Sequence, residues 1–173
     1  GNFVHRTLTL IKSNFDSRVP DVQLASLDKE SAIVVDEVNR EVECYIQHFN
    51  RIEIRSALES VVRVAAIGNA YMSAAEPWKL VKTGNAEDMN RARNVLYTSL
   101  MIVHRLGILL YPFVPQASTN ILKIFSENEA KVKNLNKEQK AGAALDLAGM
   151  KPLFHKLTEE EIEKIKKHSG KIA

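Results

Sequence analysis

Apolar positions recur every three or four residues through most of this chain, which is the helical period. Over 2–15, Phe3, Leu8 (or Thr7), Leu10 and Ile11 fall near one stripe, predicting a short amphipathic helix. The stretch DSRVPDVQ breaks it, because Pro20 disfavours helix at Val19. The pattern resumes from about Asp28 to Gln47, with Asp28 as N-cap and Ile33, Val34, Val38, Val42, Tyr45, Ile46 and Phe49 as the apolar face. Asn50 and Glu53 fit a relaxed capping box for a third helix that reaches about Ala75. Its apolar positions are Ile54, Leu58, Val61, Val62, Ala65, Gly68 and Met72. Pro77 ends that helix, and Trp78–Lys82 makes one more turn before a TGN loop.

Asn85 opens the strongest helical pattern, in which Ala92, Leu96, Ser99, Val103, Leu106 and Leu110 step by four and three, as in a bundle. Pro112 and Pro115 stop it, and Pro115 serves as N1 of a short helix through Phe125. Beyond that the apolar pattern thins. SENEAKVKNLNKEQK reads as a charged surface helix and linker, and GMKPLFHKL as an extended return to the body. TEEEIEKIKKHSGKIA reads as a terminal helix with Thr158 and Glu161 as capping box. The expected fold is all-α, an antiparallel bundle of about five helices over 1–126 with a C-terminal extension over 127–173.

Composition narrows the class. An apolar content of 45% is enough for a real core and excludes a disordered chain. A net charge of +3 is a mild basic bias, compatible with nucleic acid. The single cysteine, Cys44, excludes a disulfide framework and a cysteine zinc cluster, and its helical setting predicts a buried small hydrophobe. No apolar run is long enough to span a membrane. The chain opens without methionine inside a predicted helix, so a fragment of a longer protein is expected.

Enzymatic signatures are missing: there is no glycine-rich phosphate loop, HExxH, GxSxG or CxxC. The five histidines lie on separate segments without metal-ligand spacing, so no metal is expected. Asn2 and Arg6, four apart on one helix, present an amide and a guanidinium to the same patch, a pair suited to base edges or phosphate. Taken alone, such a pair is weak evidence, since an exposed Asn and Arg four apart usually mean only a wet helix face. Trp78, the one tryptophan, follows Pro77 at a helix break beside Lys79 and Lys82. It is either a core cap under a loop or a flat platform beside cations for unstacked RNA bases.

Three stretches together resemble the anticodon-binding domain of methionyl-tRNA synthetase, a class I aminoacyl-tRNA synthetase. GNFVHR (1–6) carries Asn and Arg four apart at the start of the domain's first helix. NAYMSAAEPW (69–78) carries Asn, Tyr two residues on, and Pro-Trp closing the helix. LGILLYPFVPQASTNILKIF (106–125) ends a long helix in an apolar Pro-x-x-Pro stretch before a short one. The resemblance covers roughly 1–125, and KPLFHKL is similar to the family's stretch returning toward the catalytic domain.

The resemblance implies that Asn2, Arg6 and Trp78 read the methionine anticodon CAU. Trp78 would stack on the first base, the cytosine. Asn2 and Arg6 would contact anticodon bases and hold the loop, and Pro77 would fix the indole, with Lys79 and Lys82 in support. Asn69 and Tyr71 also match family positions, where a structural role is as good a reading, and His5 is given no role. The partners implied are methionine tRNA and the synthetase's own catalytic domain, in the cytoplasm or an organelle. The HIGH-type and KMSKS-type signatures are absent, so this chain is expected neither to activate methionine nor to bind ATP, which belongs to the catalytic domain. Two rivals stand beside this reading. One is the equivalent domain of a valyl-, isoleucyl- or cysteinyl-tRNA synthetase. The other is a helical protein-interaction module with an exposed apolar groove.

Overall fold

The computed structural model describes residues 2–148, 158–160 and 162–163. Within them the chain forms α1 (Asn2–Asn14), α2 (Lys29–Asn50), α3 (Ile54–Ala75), α4 (Pro77–Thr83), α5 (Ala86–Leu109) and α6 (Pro115–Ile124). The expected all-α bundle is what forms. The return segment 149–157 and most of the terminal helix lie outside the described residues. Of that helix, the Ile162 N–H donates to the Thr158 carbonyl at 3.0 Å.

The helix starts follow from side-chain chemistry. Asp28 Oδ1 accepts from the Ser31 N–H at 2.7 Å, and Asn85 Oδ1 from the Asp88 N–H at 2.8 Å, so each satisfies an amide with no partner inside its helix. The Asn50–Glu53 capping box does not form. Asn50 is the last residue of α2, and Glu53 precedes α3 without a side-chain cap bond. Ile52 turns the chain at φ 60°, and the Glu53 carboxylate instead meets His48 Nδ1 at 2.5 Å. A local hydrogen bond between these two side chains stands where the cap was expected.

α5 lies at the centre. Every residue from Val95 to Leu109 is buried, so over this stretch the apolar seam widens to the whole circumference, and of the expected seam positions only Leu110 is half-exposed. Burial on all sides brings polar groups inside, and these need partners. The Tyr97 hydroxyl donates to the Gln139 carbonyl at 3.2 Å, and Arg105 Nε to the Leu135 carbonyl at 3.0 Å. His104 Nε2 lies 3.3 Å from Glu127 Oε2. All three partners come from the charged stretch after α6. That stretch holds one short 3-10 turn, Val132–Asn134, in place of the expected surface helix. It straps across α5 and buries Leu135, Leu145 and Leu147 in the common core. The break after α1 anchors the strap. Val19 N–H donates to the Ala143 carbonyl at 2.9 Å, and Leu145 N–H to the Ser17 carbonyl at 2.8 Å.

The outer faces of α2 and α3 correct the expected apolar stripes. Ile33, Ile46, Ile54, Leu58 and Val62 are exposed, Val62 by 61%. The buried arc of α3 instead runs through Ala57, Ser60, Val61, Val64, Gly68, Tyr71, Met72 and Ala75. Periodicity marks only where apolar residues are frequent, whereas the packing of α3 against its neighbours, with Phe3 of α1 lying on Gly68, decides which of them turn inward. Cys44, expected inside, is half-buried.

Two glycines set helix approach. A Cβ on Gly68 would lie 2.6 Å from Phe3 Cζ, and one on Gly107 would lie 2.9 Å from Ile121 Cγ2. Phe3 therefore rests on the α3 backbone and fixes the start of α1 against it. We predict that Gly68→Val costs about 1–3 kcal/mol by overpacking. In urea unfolding, Phe3→Leu added to it should restore part of the loss, whereas strictly additive losses would show that the two do not share one contact.

The His104–Glu127 pair sets a pH dependence. Burial pushes the His104 pKa below its ordinary value, against the opposing pull of Glu127. Burial alone would raise Glu127, but Lys137, His104 and Asn134 more than reverse this and hold it low. A histidine kept neutral by folding contributes stability in full above its unfolded pKa of about 6.5. That contribution declines as pH falls below this value, because the unfolded chain then takes the proton more readily. Unfolding free energy should therefore fall between about pH 6.5 and 5, and His104→Gln should flatten this part of the profile. Equal slopes in the two proteins would exclude His104 as the cause.

Candidate nucleic-acid interface

The α3–α4 junction is built by two residues. Glu76 adopts the left-handed region at φ 45° and ends α3, and Pro77 takes the first position of α4, where its missing N–H costs no bond. Pro77 is buried. The expected single turn after it is thus a seven-residue helix. This places Trp78 in the first turn of α4, half-exposed, with one side packed against the core.

α1 meets this corner. Phe3, Val4, Thr7, Leu8 and Ile11 are its buried face. Arg6, on the neighbouring side, reaches the indole, with its guanidinium carbon 4.7 Å from the Trp78 ring centroid. That is a cation–π contact, worth about 0.5–1 kcal/mol when partly wet. Asn2, one turn earlier, is exposed. Arg6 and Trp78 therefore meet at one corner, with Pro77 directly before the indole and Asn2 one turn before Arg6 on α1. Lys79 and Lys82 stand on α4 and are exposed, and the Lys79 ammonium lies 2.8 Å from Glu76 Oε2. Lys79 thus supplies less free positive charge than its position implied.

A shallow concavity of about 390 Å³ opens between the two helices, lined by His5, Arg6, Thr9, Leu10 and Trp78. Sequence reasoning singled out Arg6 and Trp78 but not His5, Thr9 or Leu10. The spacing held the signal: positions 2, 5, 6 and 9 stand at i, i+3, i+4 and i+7, one stripe of a helix. The other two positions of interest are apart from the corner. The Tyr71 hydroxyl is 2.6 Å from Ser31 Oγ inside the bundle, and burial pushes its pKa up to about 12, so it is a structural tyrosine. Asn69 is exposed on α3. A groove of about 670 Å³ between α2 and α3, lined in part by Ile33, Val34, Ile67 and Ala70, is the feature the protein-interaction rival calls for.

The architecture is that of the helical domain carried by tRNA synthetases. Mycobacterium tuberculosis methionyl-tRNA synthetase in its apo form matches with a TM-score of 0.80 at 25% identity, over 91% of this chain and 32% of that one. A family model, the anticodon binding domain of methionyl tRNA ligase, matches residues 19–172, and the chain belongs to that family. It is 37% identical over 163 residues to the methionine–tRNA ligase of Pyrococcus horikoshii, covering 94% of this chain and 21% of that protein. It is 30% identical over 171 residues to the cytoplasmic methionine–tRNA ligase of Xenopus laevis, covering 98% of this chain and 18% of that protein, a match that takes in α1. The chain thus spans about a fifth of the relatives' length. The methionyl family takes precedence over the valyl, isoleucyl and cysteinyl alternatives.

Trp78 is the one tryptophan, so its fluorescence reports this corner without labels. Removing the guanidinium by Arg6→Ala should raise the acrylamide quenching constant, because the indole face gains access to solvent. An unchanged constant would mean that Arg6 does not cover the ring in solution.

Proposed function

We propose that this domain binds the anticodon loop of methionine tRNA, with the CAU triplet, on the corner formed by α1 and the start of α4. Family membership supports the tRNA, and the Arg6–Trp78 contact carries the choice of surface. Anticodon bases sit in a single-stranded loop and can be splayed out, so an aromatic platform suits them. Stacking contributes about 1–3 kcal/mol per base but tolerates any base. Identity has to be read at base edges. Arg6 is suited to this because a guanidinium only donates, so it favours the acceptors N3 and O2 of cytosine over the N3–H of uracil. Asn2, which both donates and accepts, stands one turn away for a neighbouring base. In the free domain the guanidinium lies over the indole. A base stacking on that face takes its place, and the released guanidinium turns to the base edge or a phosphate.

The rest of the parent protein supplies the chemistry. In this reading aminoacylation, with its ATP, belongs to a catalytic domain outside this chain, and the bundle tests the anticodon far from that site. Rigidity serves the test, since a misplaced platform would not discriminate. The cytoplasmic Xenopus relative makes the cytoplasm the favoured compartment. Among the described residues no helix is long and apolar enough to cross a membrane.

Trp78→Ala should weaken binding of a CAU anticodon stem-loop by roughly 5- to 100-fold. Trp78→Leu, which keeps more of the packing, should weaken it similarly with a smaller change in melting temperature. Unchanged affinity in both variants would reject this corner as the site.

A further inference from the structure

The concavity contains two side chains that the reading above does not use. His5 and Thr9 flank Arg6 on the exposed side of α1, and both line the space in front of the indole. Their state is informative. Thr7, two residues from Thr9, turns its hydroxyl back to the Phe3 carbonyl at 3.0 Å, the usual way a helical threonine satisfies itself. Among the described residues no group hydrogen-bonds the Thr9 hydroxyl or the His5 imidazole. Leu10 supplies an apolar wall beside them, half-buried against the core. The space therefore has an aromatic face from Trp78, an aliphatic side from Leu10, and polar groups of α1 along one edge. A planar heterocycle with a hydrogen-bonding rim fits that distribution.

We propose that His5 and Thr9 are further base-contacting residues of this site, and that they add affinity for the base stacked on Trp78 without selecting which base it is. The inference rests on the anticodon-loop reading above and adds to it. Its reason is the donor and acceptor inventory. A threonine hydroxyl rotates to donate or accept, and a neutral imidazole does either through its two nitrogens and tautomers. Such groups bond the edge of cytosine or of uracil equally well. Arg6, which only donates, is rewarded by one edge and penalised by the other. Affinity and discrimination are thus assigned to different residues of one helix face: the adaptable groups at positions 5 and 9, the fixed donor at 6.

The test uses the 173-residue chain and two RNA stem-loops differing only in the first anticodon base, cytosine or uracil. Binding is read by quenching of Trp78 fluorescence and by filter retention. Thr9→Val removes the hydroxyl at nearly constant shape, and His5→Ala removes the ring. Both positions are exposed, and thermal melting checks that the fold is kept. Each variant should lose about 2- to 10-fold in affinity for both loops, the value of one net hydrogen bond, with the cytosine-to-uracil ratio unchanged. Arg6→Met should reduce that ratio. If Thr9→Val and His5→Ala leave both affinities unchanged while Trp78→Ala weakens binding, this inference fails and the anticodon site stands. If either variant changes the ratio as much as Arg6→Met does, the division of roles is wrong. If none of the variants, Trp78→Ala included, changes binding, the anticodon site itself fails and this inference with it.

Discussion

The bundle depends on one constraint: α5 is buried on every side from Val95 to Leu109, so the other helices have to cover that stretch. A helix in that position cannot satisfy Tyr97, His104 and Arg105 with water. The protein meets this by running the stretch after α6 back across the central helix, where the Gln139 and Leu135 carbonyls accept from Tyr97 and Arg105 and the Glu127 carboxylate comes within 3.3 Å of His104 Nε2. The same stretch pairs with the break after α1. Burial of one helix thus ties the beginning of the chain to its later part.

That tie bears on the corner formed by α1 and α4. α1 carries the residues that face the indole, yet it is a short helix at one end of the described chain. It is fixed by Phe3 lying on the bare backbone at Gly68 and by the 17–19 segment held against 142–145. The Trp78 side is fixed by a proline at the first position of α4, directly after a left-handed Glu76. Two helices distant in sequence are therefore held with a guanidinium 4.7 Å from a ring centroid, and neither contributor lies on a long loop. A base stacked there would meet a surface whose backbone is already in place, which limits the ordering cost of binding.

In the proposed reading the chemistry of the corner is economical. An indole accepts any base, an arginine favours a base that presents acceptors, and hydroxyl and imidazole groups accommodate either kind of edge. Selectivity need come from only one side chain if the others are indifferent. A protein that must both hold a flexible RNA loop and reject related loops gains from keeping these two tasks on separate residues.

The sequence by itself determined the helices and most of their starts. Asp28, Asn85 and Pro115 act within a few residues of where they stand, so their effect is readable locally. It also marked Asn2, Arg6 and Trp78, because an i, i+4 pair and a Pro-Trp step are local patterns. Tertiary structure decided what local patterns cannot express. Which arc of α3 faces inward depends on how the helix packs against its neighbours, and that put Ser60 inside and Val62 outside. The charged stretch after α6 looked like a linker because its role is to serve groups far away in sequence. The meeting of Arg6 with Trp78, and the place of His5 and Thr9 beside them, depends on how α1 docks on α3, a contact between residues more than sixty positions apart.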